Sequence, residues 1–331
     1  MKQLKAYVAV AALLGSMIVA PVASAQVVKV DGSSTVFPVT EAVAEEFQKA
    51  RKGAVKVTVG ISGTGGGFKK FCRGETDVSN ASRPILKKEM DDCKAAGIEY
   101  FELPVAFDAL TVVINPKNSF IKQLTVAEMK KMWEPGAQGK VTRWNQVNPA
   151  WPDAPMKLFG PGADSGTFDY FTEAVVGKSK SSRGDFTASE DDNVLVQGVS
   201  RDVNGLGYFG YAYYIENKDK LKAVPIVNEK GQPVEPSMEA VLKGAYSPLS
   251  RPIFIYVNAK SLVKPEVKEF VEYYMKHSAQ LAREVKYVPL PDSAYVTAWD
   301  HVQKGKKGTV FGGVAEVGIT IEELLKREAK L

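Results

Sequence analysis

The sequence predicts an α/β fold in which mostly parallel strands are flanked by helices. Segments with alternating or continuous apolar residues, typical of strands, are followed by longer segments whose apolar residues recur at three- and four-residue steps, typical of amphipathic helices. Clusters of serine, threonine and glycine separate strand from helix at three of these junctions. Since strands that alternate with helices usually lie parallel in one sheet, this order predicts helices on both faces of the sheet.

The predicted elements follow in chain order. Strands are expected at 27–30, 55–61, 110–114, 156–159 and 252–257. Helices are expected at 38–50, 68–72, 125–133, 168–175 and 267–275. In the first helix Val39, Val43 and Phe47 are four residues apart, and in the third Thr125 and Glu128 have the spacing of an N-terminal capping box. The polar stretches 178–192 and 228–236 are expected to be loops.

Composition excludes several classes of protein. A chain of 331 residues with 45% hydrophobic and 24% charged residues can bury a large core and is long enough for two domains. Its formal charge of +5 is scattered among acids, which argues against a nucleic-acid partner. Two histidines and two cysteines leave too few ligands for a transition-metal site, and we expect no cofactor.

The first 25 residues have the pattern of a secretory signal. Lys2 and Lys5 precede an apolar run from Tyr7 to Ala20, and Ala23-Ser24-Ala25 is a small-x-small cleavage site. A membrane anchor is the alternative, but the run is shorter than the roughly 20 residues that span a bilayer. We therefore expect cleavage after Ala25 and a soluble protein in the periplasm, comprising residues 26–331 with a charge of +3.

Export permits a disulfide, and Cys72 and Cys93 are the two cysteines available. Two buried free thiols are the alternative. A bridge between them would close a loop of about 20 residues, which is worth roughly 3 kcal/mol in the chain-entropy model.

Three clusters of hydroxyl and glycine residues carry the chemistry. They are Asp31-Gly32-Ser33-Ser34-Thr35, Ser62-Gly63-Thr64-Gly65-Gly66-Gly67 and Gly162-Ala163-Asp164-Ser165-Gly166-Thr167. Each lies after a predicted strand and before a predicted helix, where hydroxyls and unpaired backbone N–H groups meet the positive end of the helix. In open α/β sheets ligands bind beyond the carboxyl ends of strands, so the three clusters together predict an anion site.

Other interpretations of these glycines are weaker. Serine and threonine are common N-caps, so a single cluster indicates no more than a capped helix. The segment Gly205 to Gly210 matches G-x-G-x-x-G, but it follows Asp202-Val203-Asn204 rather than an apolar strand, which argues against a dinucleotide loop. Arg83 adds a cation, because Pro84 holds it in an extended backbone and its planar guanidinium suits a tetrahedral oxyanion.

The chain resembles the PstS family, the phosphate-binding proteins of the ABC phosphate importer, in its ASRPI-containing branch. The matching stretches cover nearly the whole chain after residue 25 and are DGSSTVFP (31–38), GISGTGGGFKKFC (60–72), GETDVSNASRPI (74–85), GPGADSGTFDYF (160–171), ASEDDNVLVQGV (188–199), GLGYFGYAYY (205–214) and VFGGVAEVGITIEELLK (310–326). The resemblance implies a two-lobed periplasmic-binding-protein fold, type II-like, that closes on one phosphate and performs no catalysis.

The resemblance also implies an organisation and a partner. The strands at 110–114 and 252–257 would be the two hinge crossings, with lobe one at 26–107 plus 253–331 and lobe two at 108–252. The partner would be an inner-membrane ABC permease, and the protein would be a monomer.

The binding residues that the resemblance implies come from all three clusters. They are Ser34, Thr35 and the Val36 backbone N–H; Ser62 or Thr64, with the choice left open; Arg83; and Ser165, Gly166 and Thr167. The better-known branch of the family has an aspartate where Arg83 stands, and an arginine where this chain has Pro161-Gly162. The residue that accepts the proton of the bound phosphate is therefore open.

Asp164 is our candidate for that proton acceptor, because it directly precedes Ser165 at the start of a helix. A fixed carboxylate accepts a hydrogen bond from protonated phosphate and repels sulfate, which has no proton. Alternatively, Asp164 is an N-cap or orients Arg83. Asp77 is expected to tie a turn instead.

Other functions remain open at this point. One is a receptor for another tetrahedral oxyanion, such as sulfate or molybdate. Another is a secreted serine hydrolase with Ser34 or Ser165 as nucleophile, which needs a base, and His277 and His301 are the only histidines. A structural or adhesive role outside transport is a further alternative.

Overall fold

The computed structural model describes residues 26–314 and 316–331. The predicted signal segment and its cleavage site lie outside these residues. The strands are β1 Gln26–Gly32, β2 Val55–Val59, β3 Val78–Ala81, β4 Tyr100–Ile114, β5 Lys157–Pro161, β6 Thr187–Ser189, β7 Gly205–Gly210, β8 Lys222–Ala223, β9 Ile226–Val227, β10 Pro233–Val234 and β11 Ser250–Asn258.

The helices are α1 Phe37–Ala50, α2 Gly63–Cys72, α3 Lys87–Ala95, α4 Val126–Trp133, α5 Trp144–Val147, α6 Gly166–Val176, α7 Asp192–Arg201, α8 Tyr211–Glu216, α9 Met238–Leu242, α10 Pro265–Glu284, α11 Asp292–Lys304 and α12 Ile321–Glu328. The capping box predicted at the start of α4 is present, because Thr125 Oγ1 accepts from the Glu128 N–H and Glu128 Oε2 accepts from the Thr125 N–H.

Each predicted strand and helix has a counterpart, and the differences lie at their ends. Helix α2 begins at Gly63 rather than at residue 68, so its glycines form the first turns. Strand β4 begins ten residues before the predicted start, at Tyr100. The two predicted loops contain the short strands β6 and β10, so the prediction of loop throughout was wrong there.

The prediction of an α/β fold is confirmed, with a mixed sheet. The strands lie in the order β2-β1-β3-β11-β4-β7-β5-β6, and β8 pairs with β4. The outer pairs on each side are parallel, whereas β11 and β4 in the middle are antiparallel to their neighbours. Each half of the sheet is thus largely parallel, and the antiparallel pairs occur where the chain passes from one half to the other.

Two strands join the halves of the sheet. Strand β4 pairs with β11 through nine residue pairs, from Tyr100 opposite Asn258 to Ala109 opposite Ser250, and its last five residues pair with β7. We call the part with β1–β3, α1–α3 and α10–α12 lobe one, and the part with β5–β10 and α4–α9 lobe two. Because β4 pairs with strands of both halves of the sheet, the junction is a continuous ribbon rather than a loop.

The predicted disulfide is present. Cys72 at the end of α2 is bonded to Cys93 in α3, and both side chains are buried. In the described part of the chain, no helix is long and apolar enough to cross a bilayer, and no three side chains of His, Cys, Asp or Glu are grouped to hold a metal ion.

Candidate functional site

The first cluster forms the turn between β1 and α1. Ser33, Ser34 and Thr35 are 2%, 2% and 0% exposed, and Val36 is the N-cap of α1. Gly32 has φ +137° and its Cα lies against the Asn80 backbone, so no side chain fits there. The cluster is therefore held deep in the molecule with the helix start beside it.

Two tyrosines fix the carbonyls of this turn. The Tyr213 hydroxyl, from lobe two, donates to the Ser34 carbonyl oxygen at 3.1 Å. The Tyr287 hydroxyl, from lobe one, donates to the Thr35 carbonyl oxygen. Both carbonyl oxygens already accept hydrogen bonds from these tyrosines. The groups of the turn that can bind an anion are therefore its hydroxyls and N–H groups.

The second cluster forms the start of α2. Thr64 is fully buried, its Oγ1 lies 3.1 Å from Ser82 Oγ, and it accepts a hydrogen bond from the Ser82 N–H. Ser62 instead donates its hydroxyl to Asp31. Of the two residues that the sequence left open, Thr64 is the one that shares the buried region with the other clusters.

The third cluster begins α6, and the three clusters meet there. Ser165 caps the helix by accepting from the Thr167 N–H at 3.1 Å, and Thr167 Oγ1 lies 2.8 Å from Thr35 Oγ1 across the two lobes. A Cβ on Gly166 would lie less than 3.0 Å from Thr64 Oγ1 and from Ser82 Oγ. The two lobes therefore contact each other through the three hydroxyl and glycine clusters identified in the sequence.

Arg83 is buried at the same junction, but most of its donors are already engaged. Its Nε donates to Asp169 at 2.6 Å, and its Nη1 and Nη2 donate to the Glu89 carboxylate at 2.8 and 2.7 Å. Burial alone would lower the pKa of Arg83, but the two carboxylates outweigh it and raise the pKa, so the side chain is charged. Arg83 therefore carries an ion pair from lobe one to Asp169 of lobe two.

Arg251 is a buried cation that the sequence analysis missed. It lies on β11, is 1% exposed, and donates from Nη1 to the Gly166 carbonyl and from Nη2 to Thr167 Oγ1 at 2.7 Å and Asp108 at 3.2 Å. Its Nε has no partner among the described residues. The one feature of the sequence that could have indicated this role is the position of the arginine, directly before the apolar strand predicted at 252–257.

The carboxylates divide into buried and rim positions. Asp169 is 1% exposed, and its Oδ1 has no hydrogen-bond partner in the described chain, with Lys180 Nζ at 3.7 Å. Burial raises the pKa of Asp169, although Arg83 acts in the opposite direction. The side chain of Asp164 is instead 39% exposed and binds Lys69 at 2.8 Å, so the structure does not bring it together with the buried hydroxyls.

The remaining residues singled out in the sequence lie elsewhere. Asp77 accepts from the Lys29 N–H, from Ser261 and from Lys264, in line with a tying role. His277 lies against the Tyr273 ring, and His301 lies 3.5 Å from Glu328. Among the described residues, neither histidine is hydrogen-bonded to Ser34 or Ser165, so the pairing that a serine hydrolase needs is not found there.

The site that results is chemically well defined. Buried hydroxyls from both lobes meet at helix starts, and the Arg251 guanidinium donates to one of them, Thr167 Oγ1. Asp169 is buried in the first turn of α6 and binds Arg83. Among the described residues, Arg251 Nε and Asp169 Oδ1 have no hydrogen-bond partner. Donors in this number suit an oxyanion, and a carboxylate among them suits an oxyanion that carries a proton.

Comparisons with known proteins agree with this class of site. Residues 19–278 match the model of the PBP superfamily domain. Protein SphX of Synechococcus elongatus is 54% identical over 321 residues, which cover 96% of this chain and 94% of the relative. The phosphate-binding protein PstS of Staphylococcus saprophyticus is 41% identical over 271 residues, which cover 81% of this chain and 82% of the relative.

Solved structures give the same result. A structure described as a possible phosphate binding protein from Planctomyces limnophilus is 51% identical, with a TM-score of 0.62 over 85% of this chain and 98% of that one. A substrate-binding protein assigned to a phosphate ABC transporter of Clostridium perfringens, solved with bound phosphate, is 26% identical, with a TM-score of 0.67 over 80% of this chain and 100% of that one.

By fold and site, this chain belongs to the PBP superfamily of two-lobed binding proteins. Within that superfamily it is a member of the PstS family of phosphate-binding proteins, as the resemblance of its hydroxyl and glycine clusters predicted.

Proposed function

We propose that this chain binds inorganic phosphate between its lobes and delivers it to an inner-membrane ABC permease. The observation that carries the proposal is the meeting of the three clusters across the lobes, with Thr35 Oγ1 2.8 Å from Thr167 Oγ1. Buried, preorganised donors from two bodies favour an anion that is enclosed rather than one that lies on a surface. Relatives whose names describe phosphate binding support the choice of anion.

The binding residues we propose are Ser34, Thr35, the Val36 N–H, Thr64, Ser165, Gly166 and Thr167, with Arg83 and Arg251 as cations. Support for Arg251 comes from its Nη2 hydrogen bond to Thr167 Oγ1 and from its Nε, which has no partner among the described residues. Arg83 contributes less to anion binding, because three of its nitrogens already donate to Glu89 and Asp169. The lobe boundaries 26–107 plus 253–331 and 108–252 are part of the same proposal.

The proton of the bound phosphate is accepted by Asp169 in this proposal, not by Asp164. Asp169 is buried, and among the described residues its Oδ1 accepts no hydrogen bond, whereas the partly exposed side chain of Asp164 already binds Lys69. A buried carboxylate repels sulfate, which has no proton to donate, while it accepts a hydrogen bond from protonated phosphate. Asp169 therefore supplies selectivity as well as affinity.

The site of action follows from export. We propose that the segment ending at Ala25 is removed and that the protein acts in the periplasm as a monomer without enzymatic activity. The names of the relatives describe phosphate-binding and substrate-binding proteins, which supports a binding role rather than catalysis.

Equilibrium dialysis with radiolabelled phosphate, in competition with sulfate and molybdate, tests the proposal. We expect the wild-type protein to retain phosphate against an excess of either competitor. We expect Asp169→Asn to lower the ratio of phosphate to sulfate affinity at least tenfold, because a neutral amide no longer repels sulfate. Asp164→Asn is the matched control and should leave the ratio unchanged.

Two results would contradict this scheme. If the wild-type protein bound sulfate or molybdate more tightly than phosphate, the preferred anion would take the place of phosphate as the proposed ligand. A change of ratio in Asp164→Asn but not in Asp169→Asn would return the proton-accepting role to Asp164.

A further inference from the structure

Asp164 is bound from both lobes at once, outside the buried cluster. Its carbonyl oxygen accepts from the Gly65 N–H at 2.8 Å, and its Oδ1 accepts from Lys69 Nζ at 2.8 Å. Both of those donors belong to helix α2 of lobe one. On its own lobe, the Asp164 N–H donates to Glu190 Oε1 at 3.1 Å. We call Gly63, Gly65, Lys69, Asp164 and Glu190 the rim clasp.

The backbone of the rim clasp is closely fitted. Gly63 has φ +74°, and a Cβ at that position would lie 2.5 Å from the Asp164 carbonyl oxygen and 2.8 Å from Glu190 Oε2. A residue with a side chain would both strain this backbone and hold the lobes apart. The close approach of the lobes at the rim therefore depends on a glycine at position 63.

The ion pair of the rim clasp is separate from the anion site by burial. The side chains of Lys69 and Asp164 are 63% and 39% exposed, whereas Thr35, Thr64 and Thr167 are fully buried. A contact that does not touch the ligand changes affinity only through the populations of open and closed molecules. An inter-lobe contact present in the closed molecule slows opening, and opening precedes release of an enclosed ligand.

We propose that the rim clasp sets the lifetime of the closed state, and thereby the rate of anion release, without contact with the anion. This inference rests on the proposed function for its ligand. Lys69 and Asp164 are positioning residues in this scheme. Because an exposed ion pair contributes little and is screened by salt, the effect of Lys69 on release should be modest, about two- to fivefold, and should fade at high ionic strength.

Stopped-flow measurement of phosphate association and release on the full exported chain tests the rim clasp. We expect Lys69→Met to speed release about two- to fivefold at low salt with little change in the association rate. The double exchange Lys69→Asp with Asp164→Lys should recover part of the loss, since it restores an opposite-charge pair. Lys276→Met is the matched control, because Lys276 binds Glu272 within α10 of lobe one at 2.7 Å with similar exposure.

The outcomes separate this inference from the proposed function. If the wild-type protein binds phosphate and Lys69→Met releases it at the rate of Lys276→Met, the rim clasp is overturned while the function stands. If the wild-type protein binds no phosphate, the function fails, and small-angle X-ray scattering of the ligand-free proteins then decides on the rim clasp. A larger radius of gyration for Lys69→Met than for Lys276→Met supports it, and equal radii contradict it.

Discussion

Gly166 is the glycine of the third cluster that lies closest to the hydroxyls of Thr64 and Ser82 in lobe one. A Cβ there would meet Thr64 Oγ1 and Ser82 Oγ at less than 3.0 Å, and both atoms belong to the opposite lobe. Its backbone is helical, so alanine itself causes no backbone strain at this position. The small size of Gly166 is therefore needed for the lobes to close, and it is not needed for lobe two to fold.

We predict that Gly166→Ala weakens phosphate binding about 5- to 100-fold and leaves the melting temperature of the ligand-free protein nearly unchanged. The reason is an overpacking cost of about 1–3 kcal/mol that applies in the closed state. Calorimetric titration and thermal unfolding of the same sample measure both effects. Gly136→Ala, where a Cβ meets nothing within 4 Å, is the control, and an unaltered affinity in Gly166→Ala would contradict the close approach.

The residues of the site differ in how far the sequence could predict them. The hydroxyl clusters have a local signature, because strand, turn and helix start follow one another in the chain. Asp169 and Arg251 have none, since their partners Arg83 and Thr167 are distant in sequence. The sequence favoured Asp164 because it directly precedes Ser165, and Asp169 was not considered. Which side of the helix start faces the other lobe is decided by packing rather than by position in the chain.

At the scale of elements, the disulfide joins two helices behind the second cluster. Cys72 ends α2 and Cys93 lies in α3, whereas Thr64 is at the opposite end of α2. Reduction of the disulfide therefore removes a cross-link without changing any residue that we propose to bind phosphate. We predict a drop in melting temperature of about 5–10 °C, from a loss of roughly 3 kcal/mol, with phosphate affinity within about twofold below the new transition.

Calorimetric scans and titrations with and without reductant measure this effect. The double variant Cys72→Ser with Cys93→Ser should unfold at the temperature of the reduced wild-type protein and should not respond to reductant. A loss of binding on reduction well below the transition would show that the bridge supports the site directly.

Helix α12 docks through a buried pair of titratable groups. Glu328 is 4% exposed, its Oε2 lies 3.5 Å from His301 Nδ1, and neither carboxylate oxygen has a hydrogen-bond partner among the described residues. Burial, with a smaller contribution from Glu102, raises the pKa of Glu328 from 4.5 to about 8. Burial likewise lowers the pKa of His301. Around pH 7 we therefore expect a largely protonated acid beside a neutral imidazole.

This pair predicts a pH dependence with a definite sign. Between about pH 4.5 and 8 the folded protein keeps a proton on Glu328 that the unfolded chain has lost, so the contribution of this group to stability falls as pH rises and levels off above pH 8. Glu328→Gln removes that titration. We predict that the variant is more stable than the wild type at pH 9, by about 1–4 kcal/mol, and that the difference shrinks toward pH 5.

Urea unfolding of both proteins at pH 5, 7 and 9 measures this difference. Glu323→Gln, on the same helix but exposed, is the control. A gap between wild type and Glu328→Gln that is constant over pH would show that Glu328 does not titrate as described.

At the scale of the whole molecule, the order of strands and helices predicted the fold, but the continuity of the sheet was not predicted. Strand β4 is buried along all 15 of its residues, so it lacks the alternation by which a strand is recognised. It also carries Glu102 and Asp108, which the sequence gives no local reason to bury. Their partners are Tyr256 and Arg251 on β11, and that pairing exists only in the folded sheet.

The continuous ribbon of β4 and β11 has a mechanical consequence for opening. Two bodies joined by such a ribbon turn about it as about a pivot, and points farther from the pivot travel farther for the same rotation. Thr167 is tied to the ribbon itself through Arg251, whereas Asp164 is bonded to neither crossing strand. Because Thr167 is held to β11 and Asp164 is not, we expect a rotation of the lobes to break the contacts of Asp164 with α2 before Thr167 separates from Thr35. The cleft would then open from its rim inward, and the enclosed anion would leave last.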